Sequence, residues 1–413
     1  MHDGERIKEA RERLGLSQDQ LSRELATSAG CRPADGPGRN QVHRWEKGKR
    51  RPRMWRRHLE SVLGIDLHEG RGHTILPAGT STEEGMVPVD RRQFIGAGAV
   101  AGVAVSAPQA AGAGRRIGRA DVARFAQRVA DLRRLDDYAG GASVYPMVTR
   151  EIGHLSALAT NGSYTEVVGR ALLSTLGELY QFAAWTAFDA ERTQDARRLS
   201  LLAANAANQA GNHPLAATAL SELSYVTASS DSPAEGVAMA RASLANAPAD
   251  VLPAVRVVLA DRLAWACART GDAAGAERAL GTSEDAHDRR DPAAAEEPDS
   301  VYWINRDESR IMAGRVWAEL RRPERAVPVL EALTAPYDDT HARELALYTC
   351  WLAGAHLSAG DLDRATAAAL RAFELSRGTA SPRTDALLRA LLTDFEPHRD
   401  NRQVNDLLTH AAA

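Results

Sequence analysis

Leu352-Ala353-Gly354-Ala355-His356-Leu357-Ser358-Ala359-Gly360-Asp361-Leu362-Asp363-Arg364-Ala365 reads as the end of one helix, a tight turn, and the start of a second. Small and aliphatic residues dominate both sides, so the two helices can approach closely. Gly360 breaks the first helix and Asp361 is a natural cap for the next. Working outward, the same punctuation recurs. Small residues stand at Ala196, Gly236, Ala276, Ala326 and Ala365, in steps of 40, 40, 50 and 39. Each follows an aromatic or apolar helix, as at Trp185-Thr186-Ala187, Tyr225-Val226 and Trp265-Ala266. The longer step contains an acidic, Pro-containing insert at about 286–300. Alanine-rich composition, with only six Phe and eight Tyr, favours helix over sheet, so the chain is expected to be all-α.

A length of 413 residues exceeds one ordinary core and implies two or three domains. The net charge of −3 is uninformative, but its distribution is not. Residues 1–66 hold 15 Lys/Arg and 10 Asp/Glu, whereas the remainder holds 36 and 44. Nine of the basic residues fall between Arg39 and Arg57, against the single acid Glu46. A basic head on an acidic body fits a nucleic-acid reader joined to a part that does not touch nucleic acid.

Within the head, Ile7, Ala10 and Leu14 share a helix face, and Gly15 ends that helix. Ser17 caps a second, Gln18 to about Ala26, with Leu21 and Leu25 inward. Residues 28–38 are Gly/Pro-rich and read as a loop. A short helix follows, with Val42 and Trp45 buried, and Gly48 stops it before a basic loop. A last helix, about 53–63, places Trp55, Leu59 and Leu63 on one face.

The pattern Leu16-Ser17-Gln18-Asp19-Gln20-Leu21, then Val42-His43-Arg44-Trp45-Glu46-Lys47-Gly48 and Pro52, resembles the phage-repressor (Cro/C1, or XRE) type of helix-turn-helix. Its spacing from Gln18 to Val42 is longer than in compact phage repressors and is similar to that of a group of actinobacterial regulators. The resemblance implies a DNA-binding domain over about 1–66. At the start of the reading helix, Arg39, Asn40 and Gln41 meet base edges first, followed by His43 and Arg44. Arginine can pair bidentately with guanine, and Asn or Gln with adenine. Gln18, Lys47, Lys49, Arg50 and Arg51 are expected on phosphates, and Glu46 is placed to brace a nearby arginine.

The later part, about 120–413, resembles tetratricopeptide repeats, with units longer than the usual roughly 34 residues. Such repeats stack into a helical solenoid. The resemblance implies a domain for homodimerisation and for holding a peptide or small-molecule effector. Asn205, Asn208 and Gln209, amides in an Ala-rich helix, and the aromatics Trp185, Tyr225 and Trp265 are the candidate effector residues. Tyr180, Trp303 and Trp317 belong to the same aromatic set, with plain helix packing as the alternative.

Between the two parts, 67–119 reads as a linker. It carries Asp90-Arg91-Arg92-Gln93-Phe94-Ile95 and an uncharged Gly/Ala-rich run to Gly114. In isolation that run is similar to a twin-arginine export signal. About 90 residues precede it, so architecture is the preferred reading and a cytoplasmic location is expected. Cys31, Cys267 and Cys350 form no C-x-x-C pair, which argues against a disulfide scaffold or a zinc ribbon. No metallopeptidase, Walker or serine-hydrolase motif is present, so neither catalysis nor a cofactor or metal is expected. The leading expectation is a DNA-binding transcriptional regulator with a double-stranded operator as partner and no membrane. The alternatives are a protein-interaction scaffold localised by DNA, and an exported or membrane-anchored repeat protein.

Overall fold

The computed structural model describes residues 3–28, 37, 39–47, 55–65, 116–291, 297–334, 342–377 and 381–412. Among them the fold is all-α. Eighteen α-helices are present, and the sole β feature is an isolated bridge between Arg116 and Ser163. The chain divides into two compact units, 1–84 and 85–413.

In the first unit, α1 (Asp3–Arg13), α2 (Gln18–Ser28), α3 (Arg39–Glu46) and α4 (Arg56–Leu63) enclose one small core. Ile7, Ala10, Leu21, Leu25, Val42, Trp45, Trp55, Leu59 and Leu63 fill it. Gly15 takes φ +66°, the left-handed conformation that turns the chain between α1 and α2. The expected cap at Ser17 is a reciprocal pair: Gln20 N–H donates to Ser17 Oγ at 3.1 Å, and Ser17 N–H donates to Gln20 Oε1 at 2.8 Å. One expectation needs correcting. Leu14 does not join the core; it lies beyond the end of α1 and is 49% exposed.

In the second unit, α5 (Arg119–Ala139) and α6 (Gly141–Asn161) precede five helical hairpins. These are α7 (Glu166–Asp189) with α8 (Thr193–Ala210), α9 (His213–Ala228) with α10 (Pro233–Asn246), and α11 (Pro253–Arg269) with α12 (Ala273–Asp288). Then come α13 (Arg306–Glu319) with α14 (Pro323–Thr334), and α15 (Ala342–Ser358) with α16 (Leu362–Ser376). Finally α17 (Pro382–Phe395) and α18 (Arg402–Ala412) close a core with α16. First helices pack on first helices, α7 on α9, α9 on α11, α11 on α13 and α13 on α15.

The repeat seen in the sequence is the hairpin. Ala196, Gly236, Ala276, Ala326 and Ala365 are all buried at the start of the second helix, where it crosses closest to the first. Five residues before four of them, Glu191, Gly271, Arg321 and Gly360 adopt positive φ. Four of the five hairpins therefore turn through a left-handed residue there, two of them without glycine, and the α9–α10 hairpin turns without one. Asp272 and Asp361 then cap the second helices, accepting from Gly275 N–H at 2.8 Å and Arg364 N–H at 3.1 Å. Cys267 and Cys350 are buried free thiols. The Arg91-Arg92 segment and Cys31 lie outside the described residues. No described helix is long and apolar enough to cross a membrane.

Candidate functional site

Two places carry chemistry, one in each unit. In the first, α3 buries Val42, Trp45 and Glu46, which orients the helix. That leaves Arg39, His43 and Lys47, spaced i, i+4, i+8, exposed along one edge, with Gln41 and Arg44 half-buried beside them. A buried ion pair fixes this orientation. Arg11 of α1 donates through Nε and Nη2 to Glu46, the second bond at 3.2 Å, and through Nη1 to the Leu16 carbonyl at 2.7 Å. Glu46 thus braces an arginine, as its place in the sequence implied. Gln18 Nε2 also donates to Glu46 at 2.7 Å and lies 3.3 Å from His43 Nδ1. The first residue of α2 is therefore tied to the exposed edge of α3. The Asn40 side chain and all of Lys49, Arg50 and Arg51 lie outside the described residues.

The second place is built by the repeat. Eleven residues before the small positions 196, 236, 276 and 326 stand Trp185, Tyr225, Trp265 and Arg315. These are equivalent sites on successive first helices, and they form a column. Ring centroids are 6.3 Å apart for Trp185–Tyr225 and 6.1 Å for Tyr225–Trp265. Trp351 meets Trp265 edge-on at 5.3 Å, and Phe188 meets Tyr225 edge-on at 5.7 Å. Tyr225 is 1% exposed at the centre, while Trp185, Phe188 and Trp351 are only half-buried.

Three arginines converge on Tyr225. Arg315 and Arg383 donate through Nη2 to its hydroxyl, at 2.7 and 2.8 Å. The Arg262 guanidinium lies over its ring, with Cζ 3.9 Å from the centroid. Burial alone would raise the Tyr225 phenol, but Arg315, Arg383 and Arg262 outweigh it and bring the pKa down to about 7. Negative charge is scarce around them. Asp189 lies 3.8 Å from Arg383, but it is already engaged by Arg343 at 3.0 Å. Glu222, Glu308 and Asp261, whose charges act on Arg262 or Arg315, form no ion pair with them among the described residues. Burial raises Glu222 to about 8 and Glu308 to about 7, so both hold much of their proton near neutrality.

The six sequence-derived effector candidates therefore separate. Trp185, Tyr225 and Trp265 come together. Asn205, Asn208 and Gln209 do not join them: they share the solvent-exposed face of α8 with Leu201, whereas the column belongs to α7, α9 and α11. The reason is that α8 buries its alanines, Ala196, Ala203, Ala206 and Ala207, against the neighbouring helices, which turns the amides outward. Tyr180 is a core residue of the α6–α8 region, and Trp317 packs under Arg325 at 4.4 Å. Trp303 lies at the edge of the column, 5.8 Å from Arg262. Leu388 and Leu391 are buried with Phe395 and Val404 in the core that α16, α17 and α18 share.

Sequence reasoning missed Arg262, Arg315 and Arg383. Arg315 did carry a signal, a single cation inside an apolar helical run, Ala313-Gly314-Arg315-Val316-Trp317. No protein-family model matches this chain, and no curated protein matches it in sequence.

Proposed function

We propose that this chain is a sequence-specific DNA-binding transcriptional regulator of the XRE type, acting in the cytoplasm, whose helical repeats dimerise and hold an effector. The observation that supports it most is the exposed edge of α3. Arg39, Gln41, His43, Arg44 and Lys47 are presented by a helix whose other side is fixed by Val42, Trp45 and the Arg11–Glu46 pair. A short helix with a polar, cationic face and a rigid seat is what major-groove reading needs. A single helix of this size covers few base pairs, so two copies on neighbouring half-sites are expected.

The test is selection of bound duplexes from a random pool by the full chain, followed by gel shifts across salt concentrations. Arg39→Ala and Arg44→Ala should each relax the preference at one base position. Lys47→Ala should weaken all sequences alike and flatten the salt slope. A pool that stays random after selection, or variants that behave identically, would overturn the proposal. Light scattering on the full chain tests the dimer.

A further inference from the structure

The Tyr225 cage holds more positive charge than the protein around it neutralises. Arg262 is 7% exposed, yet it makes no hydrogen bond or ion pair with any described residue; aromatic faces are its partners. Arg315 is 9% exposed, has no carboxylate within ion-pair range among the described residues, and its Nε has no hydrogen-bond partner. Among the described residues its one hydrogen bond is to the Tyr225 hydroxyl, which it shares with Arg383. Removing two guanidinium groups from water without carboxylate partners is costly, and ring faces offset only part of that cost. An arrangement of this kind is ordinarily completed by an anion, and planar guanidinium forks match the oxygens of carboxylate and phosphate.

We infer that the cage formed by Arg262, Arg315, Arg383 and Tyr225 binds the oxyanion group, carboxylate or phosphate, of a small molecule carrying an aromatic ring. The free donors of Arg262 and Arg315 Nε take the oxygens. The half-buried faces of Trp185, Phe188 and Trp351 stand beside them to receive the ring. The site stands on this geometry alone. Only its role as the effector site rests on the regulatory reading above.

The experiment uses the full chain at pH 6.5 with four probes: phenyl phosphate, benzoate, inorganic phosphate and benzyl alcohol. Tryptophan fluorescence and melting temperature are the readouts. Phenyl phosphate or benzoate should quench fluorescence saturably and raise the melting temperature. Their relative affinity identifies the anion. Benzyl alcohol, with the ring but no charge, should do neither. Arg262→Met and Arg315→Met should each weaken binding by at least about tenfold. Without ligand, both variants should melt no lower than the parent, because a methionine of similar bulk replaces an unpaired buried charge.

The site is overturned if neither ringed anion binds up to millimolar concentration, or if binding survives both substitutions. It is likewise overturned if both variants melt well below the parent without ligand, which would make the arginines structural. Inorganic phosphate binding as tightly as phenyl phosphate would overturn the aromatic part. A gel shift on the same preparation keeps the two readings apart. Loss of DNA binding refutes the regulator and leaves the site standing, and absent anion binding does the reverse.

Discussion

Gly236 and Gly281 are both helical glycines of the second unit, and replacing each by alanine should move stability in opposite directions. A Cβ on Gly236 would stand 2.7 Å from Ala228 Cβ, 2.8 Å from Ala228 N and 2.9 Å from Ala228 Cα. These are backbone-anchored atoms at the end of α9, and no side-chain rotation can relieve them. Overpacking of this kind costs about 1–3 kcal/mol. The helix-propensity gain of alanine over glycine offsets up to about 1 kcal/mol, and less in the first turn of α10, where Gly236 sits. The net loss should be about 1–2 kcal/mol, or a fall of about 2–6 °C in the melting temperature of a unit this large. Gly281 lies in the middle of α12 with nothing within 4 Å of its would-be Cβ. There only the propensity gain acts, and Gly281→Ala should stabilise by about 0.5–1 kcal/mol. Thermal melts of the full chain by far-ultraviolet circular dichroism would read both. If Gly236→Ala melts at or above the parent, the close approach of α9 and α10 is wrong, and so is the reading of the recurring small residue as the point of hairpin contact.

Other expectations follow from individual groups. Glu46→Ala leaves Arg11 with only Glu12, at 3.4 Å, and the Leu16 carbonyl, and should destabilise the first unit by about 1.5–3 kcal/mol, read as an earlier loss of Trp45 and Trp55 fluorescence in urea. Glu222 has its pKa raised from 4.5 to about 8 by burial, so between those values the folded chain holds a proton that the unfolded chain has released. Its contribution is fully present below about pH 4.5 and is lost as pH rises through about 8; Glu222→Gln should remove that decline, and an unchanged pH–stability curve would refute it. Anion affinity at the cage should fall as pH rises from 6 to 9. Over that range Tyr225 and Glu308 ionise near 7 and Glu222 near 8 beside Arg262, Arg315 and Arg383, Asp261 completes its ionisation from about 6, and Asp189 stays paired to Arg343. Titrations of phenyl phosphate at several pH values would show it, and affinity that rises with pH would contradict it.

The period of the repeat was legible in the sequence because it is a local steric demand. A small residue stands where the two helices of each hairpin meet, and in four of the five a left-handed residue stands five positions earlier. The first demand is visible as Ala or Gly at every unit. The second is visible only where glycine meets it, at Gly271 and Gly360, and is hidden at Glu191 and Arg321. In the first unit, buried positions could be read from helical spacing, as Ile7, Leu21, Leu25, Val42 and Trp45 show. Leu14 could not, because where α1 stops is decided by Gly15 and the chain reversal after it, not by apolar periodicity.

The cage was only half legible, and the reason lies in how its members are distributed. Trp185, Tyr225 and Trp265 recur at intervals of 40, so the repeat itself marks them as equivalent. The same register places Arg315 at the fourth position of that column, but as a change of residue type it reads as a break in the pattern. Arg262 enters from a different register, three residues before Trp265, and Arg383 comes from α17, outside the repeats. No spacing rule joins residues from three such sources; only the stacking of first helices on one another does. The amides of α8 stand apart from the cage for the complementary reason. Their cost in helix propensity hinted at a role, but propensity carries no direction, and the buried alanines of the same helix had already fixed which way they point.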